Sequence, residues 1–385
     1  MSDLVRQEIA ATATTVVVKV GTRVLTDDRG QLNQQRIAEL AEEINLVLNT
    51  GRKVVLVSSG AVGAGMGRLG LSQRPTDLAR LQAVAAVGQS LLVEAYERSL
   101  RQYNRHAAQI LLTAEDLDRR KSYLNARNTI LTLLMEYNAV PIINENDTVS
   151  VEELQTTFGD NDRLAAIVTN LLQAPLLVLL SDVEGLYDGD PQAPGARVIP
   201  TVARLDASVF DLVRDRKTGL SKGGMASKLR AAQLVTVAGG NVIIASGKRP
   251  GALARIIAGE PVGTLVIAQG GSVPAWKRWI GLTVQPRGHL VLDAGAREAV
   301  ERHGKSLLPA GIVKVVGRFR KGDVVALCDT AGVEFARGLT NYDSDDIRRI
   351  RGLKTSEIAE ALGYCPHDEV VHRDNMVVVS GLDGQ

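Results

Sequence analysis

The chain has 385 residues, 45% of them hydrophobic, and its 45 Lys and Arg face 43 Asp and Glu for a net charge of +2. That length suits two or three domains, and the apolar content excludes disorder as the main state. Aromatics at 3% are too few for stacking platforms along single-stranded nucleic acid, and two cysteines, Cys328 and Cys365, cannot build a disulfide framework or a four-cysteine zinc site.

Residues 1–13 carry Asp3 and Glu8 and lack an apolar run of signal-peptide length. Short β-branched runs then recur at 15–20, 53–58, 139–143, 176–180 and 241–245. Between them lie stretches of helical period at 34–49, 76–103, 123–137, 162–172 and 228–238. In the first of these Ile37, Leu40, Ala41, Ile44, Val47 and Leu48 share one face. The most apolar window, 164–180, is interrupted by Asn170, Gln173 and Pro175, so it reads as a helix followed by a buried strand rather than a membrane span. A cytoplasmic protein with reduced thiols is expected.

Strand–helix alternation predicts an α/β fold, a mainly parallel sheet sandwiched by helices, with its ligand at the carboxyl ends of the strands. Beyond about residue 265 the pattern changes. Gln269-Gly270-Gly271-Ser272-Val273-Pro274 has linker composition. Short strands at 290–292, 312–316, 324–327, 333–336 and 376–379 follow, with brief helices at 296–303 and 344–349. The expected division is a catalytic domain over 1–270, a linker over 271–284 and a small β-rich domain over 285–385.

The strand ends carry the chemistry. The first ends in Lys19-Val20-Gly21-Thr22, an ammonium beside backbone that a phosphate can approach closely. The second runs into Ser58-Ser59-Gly60-Ala61-Val62-Gly63-Ala64-Gly65, where so much glycine reads as a turn whose backbone touches a ligand. Gly65-Met66-Gly67-Arg68-Leu69-Gly70 matches the dinucleotide fingerprint formally, but it lies six residues past Ser59 and the Rossmann reading is rejected. No P-loop string occurs. Asn144-Glu145-Asn146-Asp147 leaves a strand, and Gly159-Asp160-Asn161-Asp162 opens a helix. Capping needs one such residue, so this many carboxylates and amides are expected to converge on a small polar ligand, or alternatively on a metal. Ser181-Asp182-Val183-Glu184-Gly185-Leu186-Tyr187 and Lys222-Gly223-Gly224-Met225-Ala226-Ser227-Lys228 complete the set, the latter an anion site at a helix start. Lysines, glycine turns and an acidic cluster, with no Ser-His-Asp or Cys-His set, favour phosphoryl transfer.

These strings, in this order, resemble those of the amino acid kinase family, and the pair Asn-Glu-Asn-Asp and Gly-Asp-Asn-Asp is similar to its glutamate-phosphorylating members. Ala85-Ala86-Val87-Gly88-Gln89-Ser90 and Leu124-Asn125-Ala126-Arg127 add to the likeness. The tail, through Gly288-His289-Leu290-Val291-Leu292-Asp293 and Gly317-Arg318-Phe319-Arg320-Lys321-Gly322-Asp323, resembles a PUA domain. The resemblance implies ATP-dependent phosphorylation of the L-glutamate side-chain carboxylate, opening proline synthesis, with ATP and Mg2+ and with proline as feedback inhibitor of a homo-oligomer. It gives catalytic roles to Lys19, Asp162 and Lys228. Ser59, Gly60, Asn144, Asp147 and Asn161 would hold glutamate. Lys19, Ser181, Asp182, Lys222, Gly223, Gly224, Met225, Ala226, Ser227 and Lys228 would line the ATP site. Ser221-Lys222 stands where relatives often read Gly-Thr, and Ser181-Asp182 where they read Thr-Asp.

Two other readings are weighed. An acetylglutamate or aspartate kinase would be expected to lack the paired strings. An RNA-binding protein acting through the tail would be expected to be basic there, yet residues 284–385 hold 14 Lys and Arg against 15 Asp and Glu.

Overall fold

A computed structural model describes residues 3–27, 30–149, 160–213, 223–269, 277 and 279–379. The chain divides into two units, Met1–Ser272 and Val273–Gln385. Of the linker expected over 271–284, residues 271–276 and 278 lie outside the described residues, as do Gly159, Ser221 and Lys222.

The first unit is built on eight strands: β1 (Thr15–Val20), β2 (Lys53–Ser58), β3 (His106–Leu112), β4 (Ala139–Glu145), β5 (Leu176–Ser181), β6 (Thr201–Val202), β7 (Asn241–Ser246) and β8 (Thr264–Val266). They form one sheet in the order β3-β4-β2-β1-β5-β7-β8-β6, parallel at every pairing except β7 with β8. Val16, Val17, Val18, Val54, Val55, Leu56, Leu177, Val178 and Leu179 are fully buried, as a parallel sheet covered on both faces requires. β1 lies between β2 and β5, and there the chain order reverses direction. The crevice beyond the carboxyl ends of these three strands is the switch point where such sheets bind ligands.

Helices α1 (Leu4–Thr12), α2 (Thr22–Leu25), α3 (Gln34–Asn49), α4 (Ala61–Leu69), α5 (Leu78–Arg101), α6 (Ala114–Asp118), α7 (Arg120–Met135), α8 (Asp160–Leu172), α9 (Ala207–Asp211), α10 (Gly223–Val237) and α11 (Ala252–Ile257) complete the unit. In α3, capped by Asn33, the expected apolar face is buried except for the half-buried Leu48. Arg6 of α1 is buried, and its guanidinium donates to the carbonyls of Val262 (2.8 Å), Gly263 (3.0 Å) and Pro200 (2.5 Å). These bonds pin α1 to the β6–β8 edge.

The glycine-rich stretch after β2 differs from the expected turn. Only Gly60, at φ +114°, is the turn residue; from Ala61 the chain is helical. Within α4, Gly65 serves helix packing, while Gly63 and Gly67 face the segment of Thr26, Gly30 and Gln31. A Cβ on Gly65 would sit 1.9 Å from the Val84 carbonyl oxygen, and one on Gly88 of α5 would sit 1.8 Å from that of Ala61. α4 and α5 therefore touch backbone to backbone, which no larger residue permits. Strand β3 was not anticipated either, because it is an edge strand with most of its residues partly exposed.

The second unit is a five-stranded sheet of β9 (Gly288–Leu292), β10 (Ile312–Gly317), β11 (Val324–Cys328), β12 (Glu334–Thr340) and β13 (Val371–Val378), ordered β10-β9-β11-β12-β13. Its pairings are antiparallel except β9 with β11. Helices α12 (Ala294–Glu301), α13 (Ser344–Ile350) and α14 (Ile358–Leu362) accompany it, and Leu290, Leu327, Phe335, Ile347 and Val371 lie in its separate core. No helix among the described residues is long and apolar enough to cross a membrane.

Candidate active site

Lys19 occupies the penultimate position of β1, in register with Val57 of β2 and Leu179 of β5. It is thus fixed at the centre of the sheet, close to the carboxyl edge. The crevice beyond that edge is a cleft of about 580 Å³. Lys19, Ser59, Gly60, Asn144, Asp147 and Asn161 line it, together with Asp162, Ser181, Asp182, Gly224, Met225 and Lys228. Residues separated by as much as two hundred positions meet because parallel strands deliver each of their ends to the same edge.

At the centre two lysines share one carboxylate. Lys19 Nζ lies 2.6 Å from Asp162 Oδ1, and Lys228 Nζ lies 3.0 Å from Asp162 Oδ2. Lys228 also donates to the Gly224 carbonyl at 3.3 Å, one turn earlier in α10. Asp162 is 1% exposed. Burial on its own would raise its carboxyl, but Lys19 and Lys228 outweigh that and hold it below the ordinary aspartate range. For Lys228 burial wins: desolvation, with the Lys19 charge adding to it, lowers the ammonium below the ordinary lysine value despite Asp162.

Beside this trio runs a chain of amides and hydroxyls. Asn161 Nδ2 donates to Ser59 Oγ (2.9 Å) and to Asn144 Oδ1 (3.0 Å), and Asn144 Nδ2 donates to Gln89 Oε1 (2.8 Å). All four residues are buried. The chain orients Asn144, since only its oxygen can face the Asn161 donor and only its nitrogen the Gln89 acceptor. Gln89 stands in a motif singled out above, but its contact spans 55 residues and no local spacing announces it.

On the β5 side, Ser181 Oγ donates to Asp182 Oδ1 at 3.2 Å, and Arg23 NH1 is 2.9 Å from Asp182 Oδ2. Val183, Leu186, Tyr187, Leu212, Val213 and Met225 give this end an apolar wall. Sequence reasoning quoted Val183 to Tyr187 without assigning them, and missed Arg23 in the short helix α2 and Arg74, Leu212 and Val213 in connecting segments, none of which has a chemical signature of its own. Among the described residues the wall contributed by α10 comes from Gly224, Met225 and Lys228, while Ala226 is buried in the opposite direction and Ser227 does not line the cleft. Helical spacing explains this, because positions i, i+1 and i+4 face one way. Gly223 opens the helix, and Lys222 lies outside the described residues. No group of three or more His, Cys, Asp or Glu among the described residues is arranged to hold a metal ion.

The profile of the Amino acid kinase family matches residues 14–246, and that of the PUA domain matches residues 288–362. A glutamate 5-kinase of Rhodopirellula baltica is 48% identical over 97% of this chain and 96% of its own. One of Caldanaerobacter subterraneus is 45% identical over 94% of this chain and 97% of its own. The chain belongs to the amino acid kinase family. A solved carbamate kinase from Giardia lamblia bound to AMP-PNP aligns with a TM-score of 0.48 at 18% identity, covering 67% of this chain and all of its own. The amino acid kinase match covers β1 through β7, hence every described residue that lines the cleft, and the PUA match begins at β9.

Proposed function

We propose that the protein transfers the γ-phosphoryl group of ATP to the side-chain carboxylate of L-glutamate, forming L-glutamyl 5-phosphate at the head of proline synthesis. The observation that carries this reading is the Lys19–Asp162–Lys228 trio set between an amide-and-hydroxyl pocket and an apolar wall in a single cleft. The relatives named above carry that activity in their names. Neither relative is named as an acetylglutamate or aspartate kinase.

In this reading Ser59, Gly60, Asn144, Asp147 and Asn161 hold glutamate, with the Asp147 carboxylate facing its ammonium group. The nucleotide takes the β5 side: its base meets the apolar wall, and its phosphates run past Ser181, Asp182 and the start of α10 toward Lys228. The glutamate γ-carboxylate oxygen attacks the terminal phosphorus in line, the bond to the bridging oxygen breaks, and ADP leaves. Lys19 and Lys228 neutralise the charge that spreads over the transferring group, and Asp162 keeps both ammoniums aimed at it. No protein nucleophile is needed. Mg2+ accompanying ATP would supply further neutralising charge on the phosphates, beside that of Lys19 and Lys228.

Proline as a feedback inhibitor, self-association into a homo-oligomer and a cytoplasmic location belong to the same reading. Val87, Leu111 and Leu124, exposed on α5, β3 and α7, support self-association, and free Cys328 and Cys365 suit a reducing compartment.

Hydroxylamine trapping of the acyl phosphate tests the assignment, with glutamate, aspartate, acetylglutamate and carbamate offered beside ATP. Hydroxamate from glutamate alone is expected; product from acetylglutamate instead overturns the reading. Lys19→Ala or Lys228→Ala should lower turnover by about 10²–10³, as for removal of one preorganised charge-stabilising group. Near-normal turnover in both variants would remove the trio from catalysis.

A further inference from the structure

We propose that Arg74 is a specificity-determining residue that grips the α-carboxylate of the amino acid substrate. This rests on the reading of the cleft as a site for phosphorylating an amino acid side chain. Among the described residues four basic side chains line the cleft: Lys19, Arg23, Arg74 and Lys228. Three are already committed within the protein. Lys19 and Lys228 share Asp162, and Arg23 holds Asp182. Arg74 makes no hydrogen bond or ion pair with any described residue, so its guanidinium faces the cleft and solvent with all of its donors available.

Topology gives its side of the cleft. Arg74 lies in the loop joining α4 to α5, and α5 packs against β3, at the end of the sheet beyond β4. Ser59 and Asn144 come from the ends of β2 and β4 on that same side, while the apolar wall comes from segments after β5. The arginine therefore belongs to the amino acid half.

Charge complementarity supplies the ligand group. Glutamate brings two carboxylates and one ammonium. Its γ-carboxylate must face the lysine trio to be phosphorylated, and Asp147, which lines the cleft, is the carboxylate assigned to its ammonium in the reading above. The α-carboxylate is then left with the neutral donors of Ser59 and Asn161. Among the described lining side chains, Lys19, Arg23, Arg74 and Lys228 stand against Asp147, Asp162 and Asp182, and Arg74 is the cation without a carboxylate partner. A guanidinium presents parallel N–H donors in the spacing of a carboxylate, so its charge and its shape both match that group.

The test uses the full chain, the hydroxamate assay, and two substrates: L-glutamate and L-isoglutamine, whose α-carboxyl is an uncharged amide while its ammonium and γ-carboxylate are retained. Where isoglutamine turns over too slowly, its inhibition constant against glutamate is measured in place of its KM. Arg74→Gln is expected to raise the glutamate KM by about tenfold or more, the scale of one charge-assisted contact, with the ATP KM unchanged. Isoglutamine should be affected little, so that the preference for glutamate over isoglutamine collapses, and Arg74→Lys should recover part of it. A wild-type glutamate KM in Arg74→Gln overturns the proposal, and so does an equal loss on both substrates, which marks a structural role. If the unmodified protein forms no hydroxamate from glutamate, the underlying assignment has failed instead.

Discussion

Asp162 is the counter-ion for two buried lysines at once, and that arrangement sets what its loss should do. Asp162→Asn leaves two ammoniums without a counter-charge, and removing one partner of a buried pair costs about 3–5 kcal/mol. Expected are a lower midpoint in thermal or urea unfolding and a loss of hydroxamate formation; a variant as stable as the parent would refute the pairing. Because its carboxyl is held below the ordinary range, the stabilisation from these pairs is present above the unfolded-state aspartate pKa and is lost as pH falls through the lower folded value. Lys228 makes a second, separable prediction. Its ammonium loses its proton below the ordinary lysine value of 10.5, so the alkaline limb of kcat should lie below that pH. Lys228→Arg, which stays charged, should remove or raise the limb even though turnover falls. A limb unmoved by this substitution would assign it to another group. At this scale the trio was legible because a lysine at a strand end and an aspartate at a helix start carry their own signals. Arg74 and Arg23 were not, since an exposed arginine in a loop or a one-turn helix is ordinary in sequence and becomes informative only once the cleft shows what stands beside it.

Among the elements, α4 shows why a local reading fails. Three glycines in nine residues argue against a helix by propensity, as each costs up to about 1 kcal/mol relative to alanine. The helix forms because packing on α5 overrides propensity, and one of those glycines, Gly65, permits that packing together with Gly88 of α5. Gly88→Ala should therefore be destabilising by roughly 1–3 kcal/mol or more, because its new methyl meets a backbone carbonyl that cannot rotate away. Urea unfolding measures this, and an unchanged midpoint would mean that the helices separate freely. Strand β3 escaped notice for the opposite reason: its edge position leaves it half exposed, and without a buried face His106–Leu112 has no strong alternation to read. By contrast β1, β2 and β5 are central, nearly uniform in burial and rich in Val and Leu, so they were readable within a residue of their ends.

Over the whole molecule, every described residue lining the cleft lies in the first unit, between Lys19 and Lys228. A chain ending at Ser272 is expected to keep glutamate-dependent hydroxamate formation; a folded fragment without activity would show that the PUA-bearing unit supplies something the cleft lacks. The division between an α/β unit and a β-rich unit was legible in composition and periodicity, because strand–helix alternation stops where the parallel sheet stops. The order of the sheet was not, since pairings such as β1 with β5 join segments that nothing local connects. That sheet order also has a consequence during synthesis on the ribosome. Lys19 emerges early, but its neighbour β5 and the lysine that shares its carboxylate appear more than 150 residues later, so no partial chain up to that point contains a working centre. The non-local pairings make assembly of this sheet intrinsically slow. Translation of Val273–Gln385 at ~5–20 residues per second then adds about 6–20 seconds before release, an interval in which the completed first unit has all of its own strands in hand.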